Sequence, residues 1–147
     1  MPNVRLILVA SDAQWVIDEV DAALGDSDTT IKAVGSGAEV RDEVEKSQPD
    51  LVVVDLQIGN MGGMAVAIDL HLEQGAGRLD PVPVLMLLDR RADVFLAKRS
   101  HVEGWIVKPL DSLRLRRAAA ALLDGGTYHD TTGAPLPIPG PNALPIV

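Results

Sequence analysis

Five short apolar runs punctuate the chain, at Leu6–Ala10, Thr30–Val34, Leu51–Asp55, Val82–Leu88 and Trp105–Val107. The first, third and fourth are nearly unbroken, the pattern of strands covered on both faces. The second is weaker and predicts an edge strand. Between the runs lie segments with helical spacing. Val16, Val20 and Leu24 recur four residues apart, and Gly25 stops that helix. Val40 and Val44 mark a second helix, beginning near Ser36-Gly37. Met64, Ala67, Ile68 and His71 line a third that ends around Gly75-Ala76-Gly77. Ala92 to Lys98 reads as a short fourth, and Leu115, Ala118 and Leu122 mark a fifth that ends at Gly125-Gly126. Strict alternation of strand and helix predicts a parallel α/β sheet with right-handed crossovers and helices on both faces.

The last 22 residues break this rhythm. The segment 126–147 carries five of the ten prolines, one acid (Asp130) and no lysine or arginine. Its prolines forbid a helix or a central strand, so an extended, polyproline-like tail is expected. Solvated tails are charged; this one is apolar. Pro135, Leu136, Pro137, Ile138, Leu144, Ile146 and Val147 therefore read as a partner-docking segment. The expected division is a domain over 1–125 and a tail over 126–147.

Composition narrows the classes. At 147 residues and 47% hydrophobic, the chain suffices for one domain with one core. Only 3% is aromatic, so the core must be aliphatic. A net charge of −8 opposes nonspecific binding to nucleic acid and to anionic membrane. With no cysteine, disulfide frameworks and thiolate metal sites are excluded, and a reducing compartment fits. The N-terminus lacks a signal-peptide layout, and no apolar stretch reaches the roughly 20 residues that span a bilayer. A cytoplasmic protein without direct membrane insertion is expected.

Candidate chemistry sits at strand ends. The first run ends in Ala10-Ser11-Asp12, the third at Asp55, and the fifth in Val107-Lys108-Pro109. With strand order 2-1-3-4-5, these three ends lie on one rim, where open parallel sheets bind ligands. Two carboxylates and an ammonium there suit a hard divalent cation such as Mg²⁺, which uses few protein carboxylates and keeps several waters. The same set suits phosphoryl transfer onto a carboxylate. Gly35-Ser36-Gly37 and the glycines after Asp55 match no nucleotide-loop fingerprint. His71, His101 and His129 share no metal-ligand spacing. Arg114, Arg116 and Arg117 form a basic strip on the last helix, read as a solvated face.

Three stretches carry a family likeness. Asp55-Leu56-Gln57-Ile58-Gly59-Asn60-Met61-Gly62-Gly63 resembles the phosphoacceptor loop of bacterial response-regulator receiver domains. Gly104-Trp105-Ile106-Val107-Lys108-Pro109 resembles their last strand, and Leu8-Val9-Ala10-Ser11-Asp12 their first. The likeness runs from about Arg5 to Gly125. It implies a flavodoxin-like, doubly wound five-stranded sheet with five helices, and a regulatory rather than enzymatic role. By the same resemblance Asp55 accepts a phosphoryl group from a histidine kinase, and Asp12, Asp55 and the Gln57 carbonyl hold Mg²⁺. Lys108 contacts the phosphoryl group, and Trp105 takes the place of the switching aromatic.

Departures from the family pattern matter equally. Ser11 stands where the family has a second acid, which weakens the expected Mg²⁺ site. Leu88 stands where it has Thr or Ser, so the hydroxyl that links phosphorylation to the aromatic is missing. Gly59 replaces the usual proline and Gly62 the usual acid, changes expected to loosen the loop. Arg90 is a candidate to lend a charge. Two functions are compatible with this set. One is a conventional phosphorylation-switched regulator. The other is a partly degenerate, orphan single-domain regulator docked through its tail to a larger assembly. The pattern also resembles orphan regulators associated with bacterial respiratory complex I, which implies a role as an accessory subunit of such a complex.

Overall fold

A computed structural model describes residues 4–132. The seven proposed docking residues, from Pro135 to Val147, lie outside that range. Strand and helix alternate through β1 (Arg5–Ala10), α1 (Gln14–Leu24), β2 (Thr29–Val34), α2 (Val40–Ser47), β3 (Leu51–Asp55), α3 (Gly63–Gly75), β4 (Val84–Leu88), α4 (Val94–Arg99), β5 (Gly104–Val107), α5 (Ser112–Leu123) and β6 (Tyr128–His129). The sheet order is β2-β1-β3-β4-β5-β6, and every named pairing is parallel. This is the flavodoxin-like arrangement, with β2 at an edge as expected.

The unbroken apolar runs explain which strands are central. Every residue of β3, β4 and β5 is buried. Alternate side chains serve two apolar layers. Ile7, Val9, Val53, Leu85, Leu87 and Ile106 pack against α1 and α5. Leu8, Val52, Val54, Met86, Leu88 and Trp105 face α2, α3 and α4. Each such aliphatic side chain contributes about 1.5–3 kcal/mol of transfer free energy when fully buried. The two layers together clamp the sheet, so the strand ends are held in a fixed relation to one another.

Three expectations need correction. The described sheet has six strands, not five: Tyr128–His129 pairs with β5 in the register Gly104↔Tyr128 and Trp105↔His129. A two-residue strand shows no periodicity, and it lies between Gly125-Gly126 and a proline run. The buried face of α3 is Val66, Ala67 and Leu70, with His71 exposed. That helix is apolar on more than one side, so spacing alone misplaces its inward stripe. The Arg strip on α5 is not uniformly solvated, because Arg114 is committed to internal partners described below.

Candidate functional site

At the carboxyl rim of the sheet, β3 delivers Asp55, 2% exposed, into a pocket of charged groups. Lys108, just past β5, donates from Nζ to Asp55 Oδ1 at 3.0 Å. Ser11, just past β1, donates from Oγ to Asp55 Oδ2 at 3.0 Å. The Gln57 backbone N–H donates to Asp55 Oδ1 at 3.2 Å. Asp55 is thus a buried carboxylate with both oxygens satisfied, the condition under which a buried charge is tolerated. Asp12 is exposed beside it and accepts from the Gly59 backbone N–H at 3.1 Å. Asp55 and Lys108 therefore meet in one pocket, Asp12 stands at the same rim tied to the loop that follows Asp55, and Gln57 bonds Asp55 through its N–H rather than the expected carbonyl.

Two apparent losses have positive roles. Ser11 removes a charge, but its hydroxyl is a direct hydrogen-bond donor to the Asp55 carboxylate. It is oriented in turn by the Ala13 N–H, 3.1 Å from Oγ. Gly59 does not simply loosen the loop. Its N–H ties the loop to Asp12, and a proline at that position has no N–H to give.

The loop after β3 is held from the far side too. A 3-10 turn at Gly37–Glu39 precedes α2. Its Gly37 N–H donates to the Gly59 carbonyl at 3.0 Å and its Ala38 N–H to the Asn60 carbonyl at 2.8 Å. Asn60 and Met61 sit at φ 49° and 76°, the left-handed region that side chains rarely adopt. Surrounding contacts must hold them there. A Cβ on Gly37 would lie 1.8 Å from the Met61 carbonyl oxygen, so only glycine lets the turn approach this closely. On the other flank, a Cβ on Gly63 would meet the Asp55 carbonyl oxygen at 2.7 Å.

Lys108 has a second anion. Its Nζ lies 2.6 Å from Asp89 Oδ1, directly after β4. Burial alone would pull the lysine pKa down. The hydrogen bonds to Asp89 and Asp55 outweigh that, and the ammonium is held above its ordinary value. The half-exposed ring of Trp15, on α1, lies 5.4 Å from Nζ, within cation–π range. Arg90 does not reach the site; it pairs with Asp93 at 2.9 Å and closes the turn before α4.

At the two expected switch positions the side chains make no hydrogen bond to this pocket, although the Leu88 carbonyl accepts from the Lys108 N–H at 2.8 Å. Leu88 is fully buried and Trp105 is 4% exposed, packed in the same apolar layer. Trp105 stacks on His129 of β6, with ring centroids 4.1 Å apart and planes 6° from parallel. Among the described residues, its indole Nε1 is the one fully buried side-chain polar atom without a hydrogen-bond partner. His71 and His101 stack on each other, 5.2 Å between centroids, and among the described residues they join no group of three or more His, Asp or Glu that could hold a metal.

Missed by sequence reasoning were Asp89, Gly37, Trp15 and Asp130. Asp89 alone carried a readable signal, a charge ending an apolar strand at the same rim as Asp55.

Residues 7–120 match the family model of the response regulator receiver domain. The chain belongs to that family. A response regulatory protein of Mycobacterium tuberculosis H37Rv, Rv3143, is 31% identical over 123 residues, covering 80% of this chain and 90% of that protein. The receiver is also 25% identical to the sensory transduction protein RegX3 of Mycolicibacterium smegmatis and spans about half of it, 54%. Among solved structures, the chemotaxis response regulator CheY4 of Vibrio cholerae superposes with a TM-score of 0.71 at 19% identity, over 81% of this chain and 98% of that one. The receiver domain of NarL from M. tuberculosis gives 0.70 at 22% identity, over 84% and 99%. At these identities the structural matches establish the fold. No helix of the described residues is long and apolar enough to cross a membrane. Receiver domains are regulatory domains that work through histidine kinases or other proteins, and this one is a receiver of the two-component class.

Proposed function

We propose that this receiver is an orphan, single-domain response regulator that acts by protein–protein contact, anchored to a larger assembly through residues 133–147. The assembly we favour is a respiratory complex of the complex I type, with the receiver as an accessory subunit in the cytoplasm at the membrane surface. The observation that carries the contact-based reading is the buried Leu88 in the same apolar layer as a Trp105 that stacks on His129. No hydroxyl joins the aromatic to the acceptor, so phosphorylation has no hydrogen bond through which to move it. The 90% span of the similar M. tuberculosis regulator supports a single-domain form. The apolar tail supports an anchor, and the resemblance to complex I-associated regulators supports the choice of assembly.

A second reading is favoured by the intact Asp55–Lys108 pair at 3.0 Å. In it, Asp55 is phosphorylated by a histidine kinase. A carboxylate oxygen attacks phosphorus, the P–N bond to the donor imidazole breaks, and that nitrogen keeps the electron pair. Lys108 compensates charge on the phosphoryl oxygens. Mg²⁺ fits the donor set in its water-rich mode. Among the described residues no group of three or more His, Asp or Glu is placed to cage an ion, and Mg²⁺ needs only one or two carboxylates. Asp12 and Asp55 would hold it, with the Gln57 carbonyl as third oxygen, and it would supply positive charge to the transferring group.

Affinity purification of the full chain and of a form ending at residue 132, each read by mass spectrometry, tests the anchor. Respiratory subunits recovered only with the full chain are expected; equal recovery with both would refute it. Acetyl phosphate labelling of the wild type and Asp55→Asn tests the second reading. Absence of a labelled Asp55 under conditions that label an ordinary receiver would remove it.

A further inference from the structure

Residues 126–132 leave α5 and run back along β5. The Tyr128 N–H donates to the Glu103 carbonyl at 3.1 Å, and the Asp130 N–H to the Trp105 carbonyl at 3.2 Å. Where the backbone ladder ends, a side chain continues it: Asp130 Oδ2 accepts from the Val107 N–H at 2.9 Å. The same carboxylate pairs with the Arg114 guanidinium from α5, and Arg91 donates to the Asp130 carbonyl. Asp130 is 3% exposed, so this is a buried charge with a full set of donors. The His129 ring, itself exposed, lies flat on Trp105 and keeps it from water. β5 is shaped for the contact. A Cβ at Gly104 would lie 2.9 Å from both the Tyr128 carbonyl oxygen and Leu122 Cδ1.

We propose that the outer edge of β5 is a strand-accepting surface, and that residues 126–132 are its occupant in cis. They form a plug that holds Trp105 inward and must lift before another extended segment can pair there. The surface reads a defined chemistry. It takes a parallel extended segment with a flat ring over Trp105, followed at once by a carboxylate that caps the Val107 N–H and meets Arg114. Unpaired strand edges recruit further strands by main-chain hydrogen bonds, and their pockets select side chains. The plug closes this edge, and control of Trp105 passes to the segment that leads into the apolar tail. None of this depends on phosphorylation of Asp55.

The test uses the full chain carrying Trp15→Phe, so that Trp105 is the sole tryptophan. Asp130→Ala should raise acrylamide quenching of Trp105 several-fold. It should also speed amide exchange at Val107 at least tenfold, while Val53 in β3 exchanges as before. His129→Ala removes only an exposed ring, keeps the fold, and should raise quenching alone. A fluorescein-labelled peptide of residues 126–132 should bind the Asp130→Ala protein at least tenfold more tightly than the parent. Unchanged quenching and exchange in both variants would overturn the proposal. So would equal peptide binding, or a parent protein that sediments as a dimer exchanging this strand between copies.

Discussion

Lys108 and Asp89 form an ion pair of 2.6 Å at the mouth of the Asp55 pocket, shorter than the 3.0 Å between Lys108 and Asp55. If Asp55 is the phosphoacceptor of the second reading, Asp89 competes with the incoming phosphoryl group for the Lys108 ammonium. Asp89 is 38% exposed, so the pair is solvent-screened and worth about 0.2–1 kcal/mol. Asp89→Ala should thus speed acetyl phosphate labelling of Asp55, by at most about fivefold. Slower labelling of the variant would mean that Asp89 positions Lys108 productively.

Gly37 supports the loop after β3 from outside the pocket. An added Cβ would lie 1.8 Å from the Met61 carbonyl oxygen, and backbone cannot yield as a side-chain tip does. Gly37→Ala should lower stability by about 1–3 kcal/mol, the range for overpacking, and slow labelling as the loop is pushed away. Gly35→Ala is the control, because nothing lies within 4 Å of its new methyl. Its urea midpoint should stay near the wild-type value. Equal midpoints for both variants would mean that the turn does not hold the loop.

What could be read in the sequence follows from range of interaction. β1, β3 and β4 announce themselves because burial on both faces forces unbroken aliphatic runs. Asp12, Asp55 and Lys108 are legible because strand order alone brings their elements to one rim. β6 is not legible. Tyr128 and His129 form a strand only because Glu103 and Trp105 supply its ladder and Arg114 neutralises Asp130. Gly37 reads as a helix start; its constraint comes from Met61, 24 positions on, and no local pattern encodes it. Ser11 reads as a lost charge, since its hydrogen bond to Asp55 exists only once β1 and β3 are paired.

The Asp130 anchor should be acid-labile and insensitive to physiological pH. Burial pushes its pKa up, but the hydrogen bonds from the Val107 and Thr132 backbone and the Arg114 charge pull it lower than burial raises it. The folded value thus lies below the unfolded one. That difference adds stability above the ordinary aspartate value, about 3.9, and is lost as pH falls through the folded value. Amide exchange at Val107 should be flat from pH 7 to 5 after correction for the intrinsic rate, and should accelerate below about pH 4. A step above pH 5 would instead show that Asp130 does not control β6.

A hydroxyl placed at position 88 should connect a phosphorylated Asp55 to Trp105. Leu88 is fully buried, so Leu88→Thr loses packing and buries a polar group, costing about 2 kcal/mol or more. The variant should therefore melt lower while staying folded. In the Trp15→Phe background with Leu88 retained, acetyl phosphate with Mg²⁺ should leave Trp105 fluorescence unchanged. In the Leu88→Thr variant the new hydroxyl is a donor at the end of β4 and can bond a phosphoryl oxygen on Asp55. Moving toward that group opens space beside the indole, and the emission should shift on phosphorylation. Trp105 must also break its stack on His129, so the shift should grow when His129→Ala is added. A phosphorylation-dependent shift already present with Leu88 would show that the acceptor reaches the aromatic by another route, and the contact-based reading would lose its main support.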